Sequence, residues 1–387
     1  MKKILFLLTG FTLFFTSCEK DSNMSESENS INGKTQRNYR ITVDEAINNV
    51  NSLLDIIDNN NSGNGNVTMS TTTHRRIIKD VSVMSKQDFN LINNSNTALT
   101  LMSAANSSNT SEIDTLVYVI NFENDEGFAL ASADSRYESV FCITENGNYS
   151  PDDSIDNPGF ANFMEGINLY LMYIPSSCPE CLSVIGDIYG DWETVTQVEK
   201  LKVRWGQGYP YNNNTPTSSG IHAPAGCVAT AIAQIFSYYQ YPASHSSYSY
   251  NWTNMLQHEA YPSYTSYSAA YSDLAYLFRN DIGLGVNMDY DVYESRATIN
   301  DAYNYLNNRG YNTYNGIINY NTEQILSALT QNKLIFTAGY KSLNQNGHAW
   351  VIDGYIHQQR EVIPEAPPGM IADPYYEYRT LVHCNWG

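Results

Sequence analysis

The chain predicts an α+β protein of two domains, and three patterns carry that expectation. Leu116–Phe122 and Gly127–Ala133 are β-like runs bracketing the turn-like Glu123-Asn124-Asp125-Glu126, a hairpin signature. A Gly-ended loop runs straight into an apolar, helix-like stretch that opens at Cys227. Near the C-terminus, Asn346 to Tyr355 and Thr380 to Gly387 read as two strands. About 350 residues follow residue 38, enough for two cores of ordinary size.

The elements follow in order. Met1-Lys2-Lys3 is basic, and Ile4 to Phe15 is apolar but too short to span a bilayer comfortably, so residues 1–17 read as a signal peptide. Phe15-Thr16-Ser17 precedes Cys18 as the small residues of a bacterial lipobox do, which marks Cys18 as a lipidation site. Its acyl chains would then anchor the protein to outer-membrane lipid or the cell surface. The competing reading is ordinary cleavage near Ser17 and free secretion. Residues 18–38 are rich in Ser, Asn and charge and form a disordered tether.

The first domain is expected over 39–195. Ile41 to Ile47 is helix-like with Thr42 as a cap, and Asn59 to Thr73 interrupts it with Ser, Asn, Gly and Thr. After the hairpin, Phe160 to Tyr173 reads as a helix, and the chain up to Lys202 reads as a linker. The second domain, 203–387, begins with the helix Cys227 to Tyr239, followed by Tyr271 to Phe278 and Ser295 to Arg309. Asn321 to Asn332, with its stripe Ile325, Ala328 and Leu329, is a further helix feeding the strand Leu334 to Gly339.

Composition sets limits. Forty acidic and 21 basic side chains give a net charge of −19, which argues against nucleic-acid binding. Cys178-Pro179-Glu180-Cys181 has no second Cys/His pair at metal-ligand spacing, so neither a metal nor a cofactor is assigned. Thirty-one tyrosines mostly suit core and strand packing.

Cys227 is the candidate nucleophile, because a helix N-terminus offers unpaired N–H groups and positive potential that favour a thiolate. A small buried hydrophobe is the plainer reading of such a cysteine. His348, at a strand start, is a candidate base, and Asn385 with Trp386 are candidates to orient it; His222 is a weaker base. A Cys, then a His more than a hundred residues on, then an Asn, is an order that supports thiol catalysis. Taken singly, His348 reads as a structural histidine and Asn385 as a turn residue.

The segments Trp205-Gly206-Gln207-Gly208-Tyr209-Pro210-Tyr211-Asn212, Gly226-Cys227-Val228-Ala229-Thr230-Ala231, Gly347-His348-Ala349-Trp350-Val351-Ile352-Asp353-Gly354 and His383-Cys384-Asn385-Trp386-Gly387 together resemble the streptopain family of bacterial cysteine proteases. The likeness is close over about 195 to 387 and looser over Asp114 to Asn148. It implies a papain-like catalytic domain with a helical lobe and an antiparallel sheet lobe, preceded by an α+β prodomain that acts as an intramolecular inhibitor. Cys227 would attack peptide bonds of polypeptide substrates after His348 takes its proton. The Gln207 side chain and the Cys227 N–H would hold the oxyanion, Asn385 or Trp386 would orient His348, and Gly347 would border the substrate. The resemblance also puts processing within Trp192 to Val203, and leads one to expect further strands beyond Gly387. Two alternatives stand beside it: another Cys/His amidohydrolase or acyltransferase, and a catalytically inactive surface-binding lipoprotein of the same fold.

Overall fold

The structure is a computed structural model that describes residues 3–10, 40–60, 75–85, 88–89, 115–153, 155, 157–172, 188–257, 269–340, 347–364 and 372–387. Cys18, the tether over 18–38, and Cys178 with Cys181 lie outside the described residues. The chain divides into two compact units, Glu19–Asp187 and a second formed by Met1–Cys18 with Ile188–Gly387. Strand β1 (Lys3–Gly10) belongs to the second.

In the first unit α1 (Val43–Asn60) starts from a capping box: the Thr42 N–H donates to the Glu45 carboxylate at 2.7 Å, and the Glu45 N–H donates to Thr42 Oγ1 at 3.3 Å. Strands β2 (Ile78–Ser85), β3 (Thr115–Phe122), β4 (Phe128–Ser132) and β5 (Val140–Ile143) form an antiparallel sheet in that order. The expected hairpin is β3–β4, turned through Asn124 and Asp125 at positive φ. Helix α2 (Pro158–Met172) supplies Met164 and Ile167 to a core shared with Val117, Val119 and Leu130.

The second unit contains β6 (Ile188–Tyr189), β7 (Glu193–Val198), α3 (Cys227–Tyr239), α4 (Ala269–Ala275), α5 (Ile299–Asn308), β8 (Asn312–Asn319), α6 (Thr322–Thr330), β9 (Leu334–Tyr340), β10 (Gly347–Ile363) and β11 (Tyr375–Asn385). Their sheet runs β8-β1-β9-β10-β11, with β6 and β7 also paired to β10. Strands β9, β10 and β11 are antiparallel. The two faces of β9 and β10 have different covers. Phe336, Ala349 and Val351 pack with α3 through Ile232 and Phe236, while Ile335, Trp350 and Ile352 pack with Ile325 and Leu329 of α6. Each such fully buried Ile or Phe contributes on the order of 1.5–3 kcal/mol, so the apolar helix α3 is the hub of this unit.

Two expectations change. Ile188–Val198, assigned to the linker and processing stretch, supplies two strands on β10, because alternating Thr194, Thr196 and Val198 suit a pleated ladder better than a tether. The helix expected from Ser295 starts at Ile299, where Thr298 caps it by accepting from the Asp301 N–H at 3.1 Å; Ser295–Arg296 instead pair with Asp289–Tyr290 as a short hairpin. Lys3–Gly10, inside the stretch read as a leader, runs as a parallel strand between β8 and β9, a pairing that does not bear on whether the leader is removed. Among the described residues no helix is long and apolar enough to cross a membrane.

Candidate active site

Cys227 is the first residue of α3. The residue before it must be glycine: Gly226 has φ 93°, and a Cβ there would lie 2.8 Å from Met288 Sδ. The loop leading to it is pinned twice. Ala225 N–H donates to the Gln207 carbonyl at 2.9 Å, and Ser295 Oγ donates to the Pro224 carbonyl at 2.6 Å. The first of these bonds ties the backbone of half-buried Gln207 to the loop that delivers Cys227.

Backbone N–H groups of Ala349, Val228 and Cys227 itself reach the sulfur and favour its thiolate. Burial outweighs them and raises the thiol pKa, with the Glu294 carboxylate acting in the same sense. The expectation of a thiol depressed by its helix N-terminus is therefore reversed in this arrangement.

His348 is the second residue of β10 and is 2% exposed. Its Nε2 lies 2.9 Å from the backbone carbonyl of Trp386. A carbonyl only accepts, so Nε2 carries the hydrogen and Nδ1 is left as the acceptor, the atom suited to take a proton. Burial lowers the imidazole pKa, opposed by the Trp386 carbonyl. The ring stacks with Trp350 at 6.3 Å and Trp386 at 6.1 Å between centroids. Ala349, the next residue, is one of the three whose N–H reaches the Cys227 sulfur. Among the described residues thiol and imidazole do not hydrogen-bond each other, so a persistent ion pair is not what this arrangement holds.

Asn385 does not orient the imidazole. Its Nδ2 donates to the Val203 carbonyl at 2.7 Å and its Oδ1 accepts from Gln234 Nε2 at 2.6 Å, while Gln234 Nε2 also donates to the Trp205 carbonyl at 3.0 Å. Alternation along β11 explains the correction: the Asn385 side chain is turned toward α3 and the 203–205 segment, and the chain beyond it presents the Trp386 carbonyl to His348. Gly387 follows with its α-carbon against α3, where a Cβ would lie 2.5 Å from Thr230. Gly347 is exposed at the start of β10. His222 holds the Thr215 carbonyl at 3.0 Å within its own loop.

Two residues carry more than the sequence reveals. Gln234 lies two turns beyond Cys227, and its signal is the lone amide in a helix of apolar, hydroxyl and tyrosine side chains. Asp353, fully buried, accepts from Leu201 N–H at 2.7 Å and Lys200 N–H at 3.3 Å and meets His383 Nδ1 at 2.7 Å, fixing the entry to the 203–205 segment. Cys384 is pushed up to about 12 by burial, with Asp353 adding to it, which disfavours its thiolate.

A cysteine at a helix start, a histidine with one nitrogen held by a carbonyl and the other open, and a Gln-bearing loop tied to the nucleophile's loop form the parts of a thiol peptidase in a papain-like α+β fold. Residues 205–387 match the Peptidase C10 family. The chain is 28% identical over 316 residues to streptopain of Streptococcus pyogenes, spanning 70% of this chain and 71% of streptopain. It is 24% identical over 284 residues to the thiol protease/hemagglutinin PrtT of Porphyromonas gingivalis, spanning 62% of this chain and 31% of that protein. A solved fragment of Prevotella intermedia prointerpain A is similar at 23% identity and TM-score 0.45, covering 63% of this chain and 84% of the fragment. The likeness to that family and to streptopain identifies the protein as a cysteine-type endopeptidase.

Proposed function

We propose that the protein is an exported zymogen whose first unit inhibits the second, and that hydrolysis runs through an acyl-enzyme on Cys227. The observation that carries the mechanism is the His348–Trp386 hydrogen bond, which leaves Nδ1 free to accept. In the engaged site Nδ1 takes the Cys227 proton, and the thiolate and imidazolium stabilise one another. Sulfur adds to the peptide carbonyl. The oxyanion is received by the Gln207 side chain and the Cys227 N–H, each such donor supplying about 2.7–4 kcal/mol of barrier lowering. Nδ1–H then protonates the leaving amine, and water deprotonated by the same nitrogen hydrolyses the thioester.

The resting electrostatics support the zymogen reading. A raised thiol, a lowered imidazole and no bond between them describe an uncharged, unengaged pair. Because β6 and β7 pair with β10, processing is assigned N-terminal to Ile188 rather than within Trp192–Val203. Export rests on Met1-Lys2-Lys3 with the apolar Ile4–Phe15, and lipid anchoring on Cys18. Removal of the leader would withdraw β1 from the sheet.

Peptide cleavage by the processed protein, lost in Cys227→Ser, tests the reading, together with labelling by an epoxide inhibitor of cysteine proteases. Cleavage that survives Cys227→Ser dismisses the mechanism; a processed chain that neither cleaves peptides nor takes the label is the inactive surface protein instead.

A further inference from the structure

We propose that Gln234 is a positioning residue that holds the oxyanion loop and the base to one helix. This deepens the peptidase mechanism proposed above and rests on it. Gln234 is 0% exposed. Its Nε2 has two hydrogens, and both are used: one for the Trp205 carbonyl at 3.0 Å, one for Asn385 Oδ1 at 2.6 Å. Asn385 closes the ring by donating to the Val203 carbonyl at 2.7 Å.

What lies just beyond each held atom gives the amide its role. Trp205 leads through Gly206 to Gln207, the oxyanion side chain, whose carbonyl also restrains Ala225 ahead of Cys227. Asn385 leads to Trp386, whose carbonyl fixes the His348 tautomer. Nucleophile, oxyanion donor and the carbonyl that orients the base come from three separate stretches of chain, and Gln234 sits on the nucleophile's own helix and bonds the other two. Gln234 Oε1 is buried without a hydrogen-bond partner. An apolar side chain would fill α3 without that orphan, so the useful half of the residue is its pair of donors. Catalytic groups need placement to within about 0.5 Å, and a two-donor amide across the two segments supplies it.

The test uses the full chain under conditions where the unsubstituted protein cleaves a peptide, with kcat, KM and urea midpoint measured together. Gln234→Met is expected to lower kcat by about 100-fold, the cost of an ångström-scale misplacement, with KM within about threefold. Gln234→Glu, which keeps the size with at most one donor, covers the case where Met does not fold and is expected to lose at least about tenfold. Gln234→Leu combined with Asn385→Leu leaves the Trp205 and Val203 carbonyls without their donors, so it is expected to regain neither stability nor kcat over the single change. Normal kcat in Gln234→Met or Gln234→Glu, or kcat that returns with stability in the double variant, overturns the inference. If the unsubstituted chain cleaves nothing, the peptidase mechanism has failed, and the His348 nitrogen shifts in ¹⁵N NMR still decide: loss of the Nε2–H tautomer in Gln234→Met supports positioning, and an unchanged tautomer overturns it.

Discussion

His348 Nε2 lies 2.9 Å from the main-chain carbonyl oxygen of Trp386, so the group that aims the imidazole belongs to the backbone and not to a side chain. Substituting the indole therefore leaves the acceptor in place. Trp386→Phe should lose only the stacking difference, within about tenfold in kcat/KM, whereas His348→Ala should abolish turnover. Steady-state kinetics on one peptide compare them, and losses of equal size would show that the ring, not the carbonyl, does the orienting.

Processing should change the reactivity of Cys227. With the thiol raised by burial and no imidazole bonded to it, alkylation by iodoacetamide near pH 7 is slow in the unprocessed chain. Engagement of His348 should accelerate it by about 10- to 100-fold. Mass spectrometry of the Cys227 peptide reads this without interference from Cys142 and Cys384, both pushed up to about 12. Equal rates before and after processing would remove the resting-state interpretation.

Glu294 offers a finer check on the same thiol. Its carboxylate opposes ionisation of Cys227, so Glu294→Gln should speed alkylation at a fixed pH below the thiol pKa. The carboxylate also pairs with Arg296 at 2.8 Å, which keeps the effect under about threefold. A slower rate would reverse the assigned sign.

Stability should fall on the acid side through His348. Its folded pKa is below the ordinary value of 6.5, so under that pH the unfolded chain binds a proton that the folded chain resists. The loss begins near 6.5 and continues down to the folded pKa, at no more than about 1.4 kcal/mol per pH unit for one group. For Cys227 the sign is opposite: its raised pKa gives stability that is present below the ordinary thiol range and lost as pH rises above it. Urea titrations of His348→Asn against the unsubstituted chain should show a shallower acid limb in the variant; identical limbs would reject the contribution.

Gly226→Ala should be costly for reasons of backbone and space together. Its φ is 93°, and a methyl carbon added there would sit 2.8 Å from the Met288 sulfur, closer than two such atoms approach without one of them moving. About 1–3 kcal/mol of stability should be lost, with a fall in kcat because the next residue is the nucleophile. Chemical denaturation and turnover check both, and an unperturbed variant would show that the loop yields easily.

Much of this is legible in residue order. The α3 boundaries, the β3–β4 hairpin and the strand beginning at Gly347 are local patterns, set by period and by turn chemistry. Cys227 and His348 are legible for a similar reason, since each sits at the start of a regular element. The role of Asn385 is not, because sequence places it beside Trp386 but does not say which way a strand residue points. Gln234 is silent in the sequence because its partners, at 203–205 and 385, are brought to it only by the tertiary fold. Strands β6 and β7 read as linker because they pair with the distal part of β10, more than a hundred and fifty residues later.

The ladder between β10 and β11 pairs Val351 with Asn385 and Ile352 with Cys384, then slips at Asp353 before Gly354 meets His383. That slip acts as a mechanical fuse. Length changes in the distal arm of this hairpin can be taken up at the bulge, leaving the proximal pairs, and so the aim of the base, untouched. A residue inserted in the outer arm would thus be absorbed there, while an odd shift on the proximal side would exchange the two faces and disarm the enzyme at a stroke.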